Sequence, residues 1–119
     1  LEDLSYLGTD WHKPFLEIAP ALIIVFRRPY EIVNGKKRNN YYVSESAGIA
    51  CGFLLEAIHF CGLVALTHTP SPMNFLSHLL KRPENEKPFL LIPIGYPAEN
   101  TMVPDLARKT AENVLQFYR

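Results

Sequence analysis

Residues 21–26 read Ala-Leu-Ile-Ile-Val-Phe, an unbroken apolar run between Pro20 and Pro29. Its length and β-branched content fit a strand, and the absence of polar alternation means that both faces must be covered. Residues 88–94, Pro-Phe-Leu-Leu-Ile-Pro-Ile, predict a second buried strand, and residues 63–67 predict a third. A chain with such strands needs helices layered on them.

The longest helical candidate covers residues 41–61. Ile49, Phe53, Ala57 and Cys61 recur at four-residue steps, with Ala50, Leu54 and Ile58 on the adjoining stripe. Its first half is small and smooth, carrying Ser44, Ser46, Ala47, Gly48, Ala50 and Gly52. Such a surface lets another backbone come close, either inside one subunit or across a dimer. Gly62 should end the helix, because glycine accepts the left-handed conformation found there.

Residues 72–80 predict a further helix, with Pro72 in its first turn and Phe75, Leu76, Leu79 and Leu80 as its apolar face. Residues 4–16 suit two short helical turns broken by Gly8 and Pro14, and residues 27–40 read as a loop turning at Asn34-Gly35. The tail, residues 110–119, is amphipathic, with Ala111, Val114, Leu115 and Tyr118 on one side. Helices alternate with strands without repeats, which gives one mixed α and β domain.

Composition narrows the function. Twelve basic and twelve acidic residues cancel, so no net field draws in nucleic acid or an anionic membrane. Lys36-Lys37-Arg38 sits in turn chemistry and reads as a solvated loop. Cys51 and Cys61 lie in apolar helical sequence, supporting neither a disulfide nor a metal site. His12, His59, His68 and His78 lack metal-ligand spacing, and His59 reads as structural. No serine has a nucleophile-elbow context. The run 19–26, broken by Pro20, is far shorter than the ~20 residues of a membrane helix. The opening Leu1-Glu2-Asp3 is unlike a signal peptide. A soluble, cytoplasmic protein is the expectation.

Two distant segments carry the candidate chemistry. Thr67-His68-Thr69-Pro70 closes the third strand, and Pro70 steers Thr69 towards an extended backbone. Near the end, Gly95-Tyr96-Pro97 is followed by Val103-Pro104-Asp105-Leu106-Ala107-Arg108-Lys109. As bare residues, Thr69-Pro70 reads as a turn, Arg108 as an exposed cation and Lys13 as a helix-end lysine. Together with Trp11-His12-Lys13 and Ile49-Ala50-Cys51-Gly52-Phe53-Leu54-Leu55, however, these segments resemble the iodotyrosine deiodinase branch of the flavin-dependent nitroreductases. The resemblance runs over nearly all 119 residues.

That resemblance implies an α+β nitroreductase fold: a mixed central sheet flanked by helices, in an obligate homodimer with FMN at the subunit interface. Residues 1–119 would form the C-terminal half of one FMN-binding domain. The missing N-terminal half would supply an Arg-rich phosphate-binding segment and the lid's Glu and Tyr. Thr67, His68 and Thr69 would line the isoalloxazine ring, with Thr69 as the hydroxyl donor to flavin N5 that favours one-electron steps and His68 in contact through its backbone alone. Arg108 would reach the FMN phosphate, as a guanidinium suits bidentate phosphate contact. Lys13 would pair with the carboxylate of a halotyrosine.

The implied reaction is reductive dehalogenation of iodotyrosine or related halotyrosines, fed by reduced nicotinamide or a flavin reductase. A broad nitroreductase or quinone reductase, or a flavin-binding protein without turnover, are the alternatives.

Overall fold

The computed structural model describes residues 11–118. The chain divides into a main unit, Lys13–Pro97, and a unit made of the chain ends, described at residues 11–12 and 98–118.

The main unit is built on three strands. β1 (Ala21–Arg27) runs antiparallel to β5 (Lys87–Gly95), and β4 (Val64–Ala65) pairs antiparallel with the other edge of β5. The order is therefore β1-β5-β4. All pairings among the described strands are antiparallel. The two apolar runs thus lie side by side, with Ile23 opposite Ile92 and Ile24 opposite Leu91. β5 is the central strand, and its Leu91, Ile92 and Pro93 are buried. Gly95 is required where it stands: a Cβ there would meet Pro20 Cδ at 2.9 Å, inside van der Waals contact.

The stretch expected as a loop is a second, two-stranded sheet. β2 (Tyr30–Val33) pairs with β3 (Lys36–Asn39) across Asn34 and Gly35, at φ 52° and 74°. Two consecutive left-handed residues make the turn that matches strand twist, which explains the choice of Asn-Gly. The basic cluster therefore lies on a strand. Arg38 faces Glu31 and bonds it at 2.9 Å, and Lys37 lies 4.2 Å from the centre of the Tyr30 ring.

α2 (Val43–Phe60) packs against β1 and β4. Its end matches the expectation: Gly62 has φ 75°, its N–H donates to His59 O at 2.9 Å, and Leu63 N–H donates to Ile58 O at 3.2 Å. These two bonds satisfy carbonyls that the helix would leave open. The stripe that faces the core differs from the expected one. Val43, Ala47, Cys51, Leu54 and Ile58 are half-buried or buried, whereas Ile49, Phe53 and Phe60 are 64%, 73% and 90% exposed. His59 is exposed too.

At 100° per residue those three residues lie opposite Cys51 and Ile58. The helix carries apolar residues on two opposite stripes, the outer one flanked by Glu45 and Glu56, and this chain covers the inner one. That composition also makes α2 the one described helix long and apolar enough to cross a membrane, with 18 residues and mean hydropathy 1.2. The sequence reading weighed only the run 19–26 for that role.

Three other elements are shorter than expected. β4 stops after two residues because Pro93, its neighbour on β5, accepts a bond from Leu66 N–H (3.2 Å) and has no N–H to return. α3 (Phe75–Leu79) leaves Pro72 outside; its first turn begins at Met73, whose carbonyl accepts from Leu76 N–H. Leu76 is its buried residue.

α4 (Ala111–Val114), in the chain-end unit, is a single exposed turn that gives way to extended backbone at Leu115. A short helix with no packed face has little to sustain it. α1 (Phe15–Ile18) follows Pro14; the first helical turn expected before it lies outside the described residues.

Candidate functional site

The Thr67-His68-Thr69 segment continues β4 along the edge of β5. His68 N–H donates to Leu91 O at 2.8 Å, and Leu91 N–H donates to His68 O at 2.9 Å. This reciprocal pair fixes His68 on the most deeply buried part of the central strand. In extended backbone, successive peptide groups point to opposite edges, so those of Thr67 and Thr69 point away from β5. Both threonines are exposed, and neither hydroxyl has a hydrogen-bond partner among the described residues. A rigid strand thus presents two amide and two hydroxyl groups outward. That donor set fits the polar edge of a flavin ring.

Alternation also sends the His68 side chain to the face opposite Thr67 and Thr69. There it meets α1. The imidazole packs edge-on against the Phe15 ring, centroids 5.7 Å apart at 87°. Burial, and then the charge of Lys13, hold the His68 imidazole below its ordinary basicity. Lys13 is half-buried, and its carbonyl accepts from Leu16 N–H at 3.1 Å, at the entry to α1. The structure therefore brings Lys13 within electrostatic reach of the strand that carries Thr67 and Thr69.

Arg108 belongs to the other unit. It is exposed, in irregular backbone.

A groove lies elsewhere, between Arg28, Tyr30 and Ile32 on one side and Glu84 and Asn85 on the other, and shares no residue with the threonine segment. The corner beside it is a structural clamp. Glu86, 8% exposed, bonds Arg28 at 2.8 Å and Arg82 at 2.6 Å. Those two guanidiniums hold its carboxyl below the usual range. Asn85 Nδ2 donates to Tyr30 O at 2.9 Å, tying the hairpin to the start of β5. Arg27 donates to Ser44 Oγ at 2.6 Å in the first turn of α2, while its Nε is buried without a partner among the described residues.

Relatives of known name share this sequence. The chain is 69% identical over 119 residues to an iodotyrosine deiodinase of Haliscomenobacter hydrossis, a match covering 99% of the chain and 54% of that protein. An iodotyrosine deiodinase of Nematostella vectensis is 47% identical, over 97% of the chain and 44% of its own length. A crystal structure of oxidised iodotyrosine deiodinase bound to FMN and 3-iodo-L-tyrosine superposes with a TM-score of 0.76 at 27% identity, covering 99% of this chain and 57% of that one. Over nearly its whole length the chain is homologous to iodotyrosine deiodinases.

It spans about half the length of the curated family members it matches. No protein-family profile matches it. The mixed helices and antiparallel sheets are thus part of the nitroreductase-type fold of iodotyrosine deiodinases. Within this family frame, sequence reading named Lys13, Thr67, His68, Thr69 and Arg108. It passed over Phe15 and Leu91, the two residues that position His68. Phe15, the first residue of α1, lies two residues after Lys13; Leu91 acts through backbone groups that every residue has.

Proposed function

We propose that the whole protein is an FMN-dependent oxidoreductase that removes halide reductively from iodotyrosine or a related halotyrosine. In this reaction a carbon–iodine bond is replaced by carbon–hydrogen, two electrons and one proton are consumed, and iodide leaves. The flavin supplies those electrons in single steps when bound; reduced nicotinamide or a flavin reductase replenishes them.

The observation that carries this reading is the strand-end segment Thr67–Thr69, fixed on Leu91 with outward donors and with Lys13 beside it. Thr67 and Thr69 line the ring, and the Thr69 hydroxyl donates to N5. The backbone of His68 keeps both threonines in register. Arg108 holds the phosphate, a role supported by guanidinium chemistry and by its place in the family motif. Lys13 pairs its ammonium with the substrate carboxylate, orienting the phenol and excluding ligands without that charge.

The protein works as a homodimer with the flavin between subunits. The exposed apolar side of α2 supports this: Ile49, Phe53 and Phe60 are bare, and the spaces beside Gly48 and Gly52 are open. The packing of the inner side of α2 on β1 and β4 fits a helix that belongs to a soluble fold.

The test is iodide release. The full-length protein, loaded with FMN and reduced by dithionite, should convert 3-iodotyrosine to tyrosine and free iodide. Reduction of nitroaromatics with no iodide released would replace this reading with a general nitroreductase.

A further inference from the structure

α1 is held at two points. At its far end the chain runs through Ala19 into β1, with Pro20 packed so closely on Gly95 that a Cβ there would meet Pro20 Cδ at 2.9 Å. At its near end the Phe15 ring lies edge-on to the His68 imidazole, centroids 5.7 Å apart at 87°. Between these points the helix is a single turn of 4 residues, none of them buried. Among the described residues, no hydrogen bond or ion pair ties residues 15–18 to the sheet. One turn has little stability of its own, so its contacts decide where it sits.

His68 is a firm seat for that ring. Its N–H and its carbonyl both bond Leu91, at 2.8 and 2.9 Å, and Leu91 is 4% exposed. Lys13 precedes Phe15 by two residues, a span of at most about 7 Å of chain. Its carbonyl accepts from Leu16 N–H at 3.1 Å, which joins it to the same turn. The place of Lys13 relative to the strand therefore follows the place of the Phe15 ring. Resting on the reading of Lys13 as the carboxylate-binding residue, we propose that Phe15 is a positioning residue. Seated on His68, it holds Lys13 where the carboxylate of an amino-acid substrate reaches it, and so sets the preference for a halotyrosine over a halophenol.

Without the ring the segment can turn about Pro20, and the arrangement that presents Lys13 becomes one of several. Apparent affinity then falls with the fraction of molecules that keep it. An aromatic pair in this geometry is worth roughly two- to tenfold in that fraction. A ligand without a carboxylate does not depend on it. Thr67 and Thr69 are held by the backbone bonds of His68, which a change at Phe15 leaves in place.

Full-length, FMN-loaded protein is titrated with 3-iodotyrosine and with an iodophenol, read by flavin fluorescence quenching. Phe15→Ala should weaken 3-iodotyrosine roughly two- to tenfold and leave the iodophenol unmoved. In steady-state deiodination its KM should rise with kcat kept. Phe15→Tyr, which keeps the ring, should bind both ligands as wild type does. Phe15→Leu keeps apolar bulk without a ring; it should behave as Phe15→Ala, and replaces it should that variant lose FMN. His68→Ala should weaken 3-iodotyrosine by a similar factor, and the double variant no further than either alone, because both changes remove one contact.

Equal losses for the two ligands overturn the positioning role. So does an unchanged 3-iodotyrosine affinity in Phe15→Ala while Lys13→Ala still weakens it. Losses that add in the double variant overturn it as well, since Phe15 and His68 would then act separately. An unchanged 3-iodotyrosine affinity in Lys13→Ala removes the carboxylate reading itself, so the two failures are told apart.

Discussion

β5 and α2 are both rich in apolar residues, and the chain treats them in opposite ways. β5 has a strand on each edge, and Leu91, Ile92 and Pro93 are buried within 119 residues of sequence. α2 is covered along the Val43–Cys51–Ile58 stripe and bare along Ile49, Phe53 and Phe60. The strand on which the candidate flavin-contact segment is fixed is covered by this chain, and the helix has one apolar stripe that it leaves bare. An exposed apolar stripe is what the proposed dimer would cover.

The largest expected effect is on the helix side. Phe53→Ala in the full-length protein loses burial of one aromatic, ~1.5–3 kcal/mol per copy and counted twice in a two-fold dimer. Sedimentation should show the dimer dissociating at concentrations where wild type is intact, with secondary structure kept. A variant that stays dimeric would make this face a site for some other part of the protein.

On the strand side, Ile92→Ala opens a cavity at a residue with no exposure, and should cost about 2–5 kcal/mol in denaturant unfolding. A loss below 1 kcal/mol would mean that β5 is less complete than its burial indicates.

The same contrast governs what could be read from sequence. The strands 21–26 and 88–94 were legible because each is a short continuous apolar run of strand length, bounded by proline or glycine. The small-residue helix and its Gly62 stop were legible as well. The facing of α2 was not, because apolar residues on two opposite stripes give no single periodic signal to choose between them. Nor was the basic hairpin, where Lys36-Lys37-Arg38 resembles a solvated loop until Glu31 and Tyr30 are brought opposite. Thr67, Thr69 and Lys13 were named as candidates through a family motif. Their joint, Phe15 on His68, depends on two elements meeting in space.

The substrate side sharpens the comparison with a smaller effect. Lys13→Ala should weaken halotyrosine binding by on the order of 1.5–3 kcal/mol, one to two decades in affinity, and leave a halophenol almost unmoved. Flavin fluorescence quenching reads both affinities. Equal losses would assign Lys13 to folding of the α1 segment.

The smallest expected effect is at the strand's outer edge. Thr69→Ala removes one hydroxyl contact, about 0.5–1.5 kcal/mol, so FMN should stay bound. Redox titration with a substrate analogue should nevertheless show the two one-electron steps merging into a single two-electron step. Unchanged separation of the steps would refute the assignment of Thr69 to N5.

The most direct test of the central claim is a crystal structure of the full-length protein with FMN bound. The prediction is that the ring lies against Thr67–Thr69, with the Thr69 hydroxyl within hydrogen-bond distance of N5, and that the Ile49–Phe53 face of α2 is covered by a second copy. A flavin seated in the groove between Arg28, Tyr30 and Asn85, with Thr69 open to water and α2 bare, would contradict it.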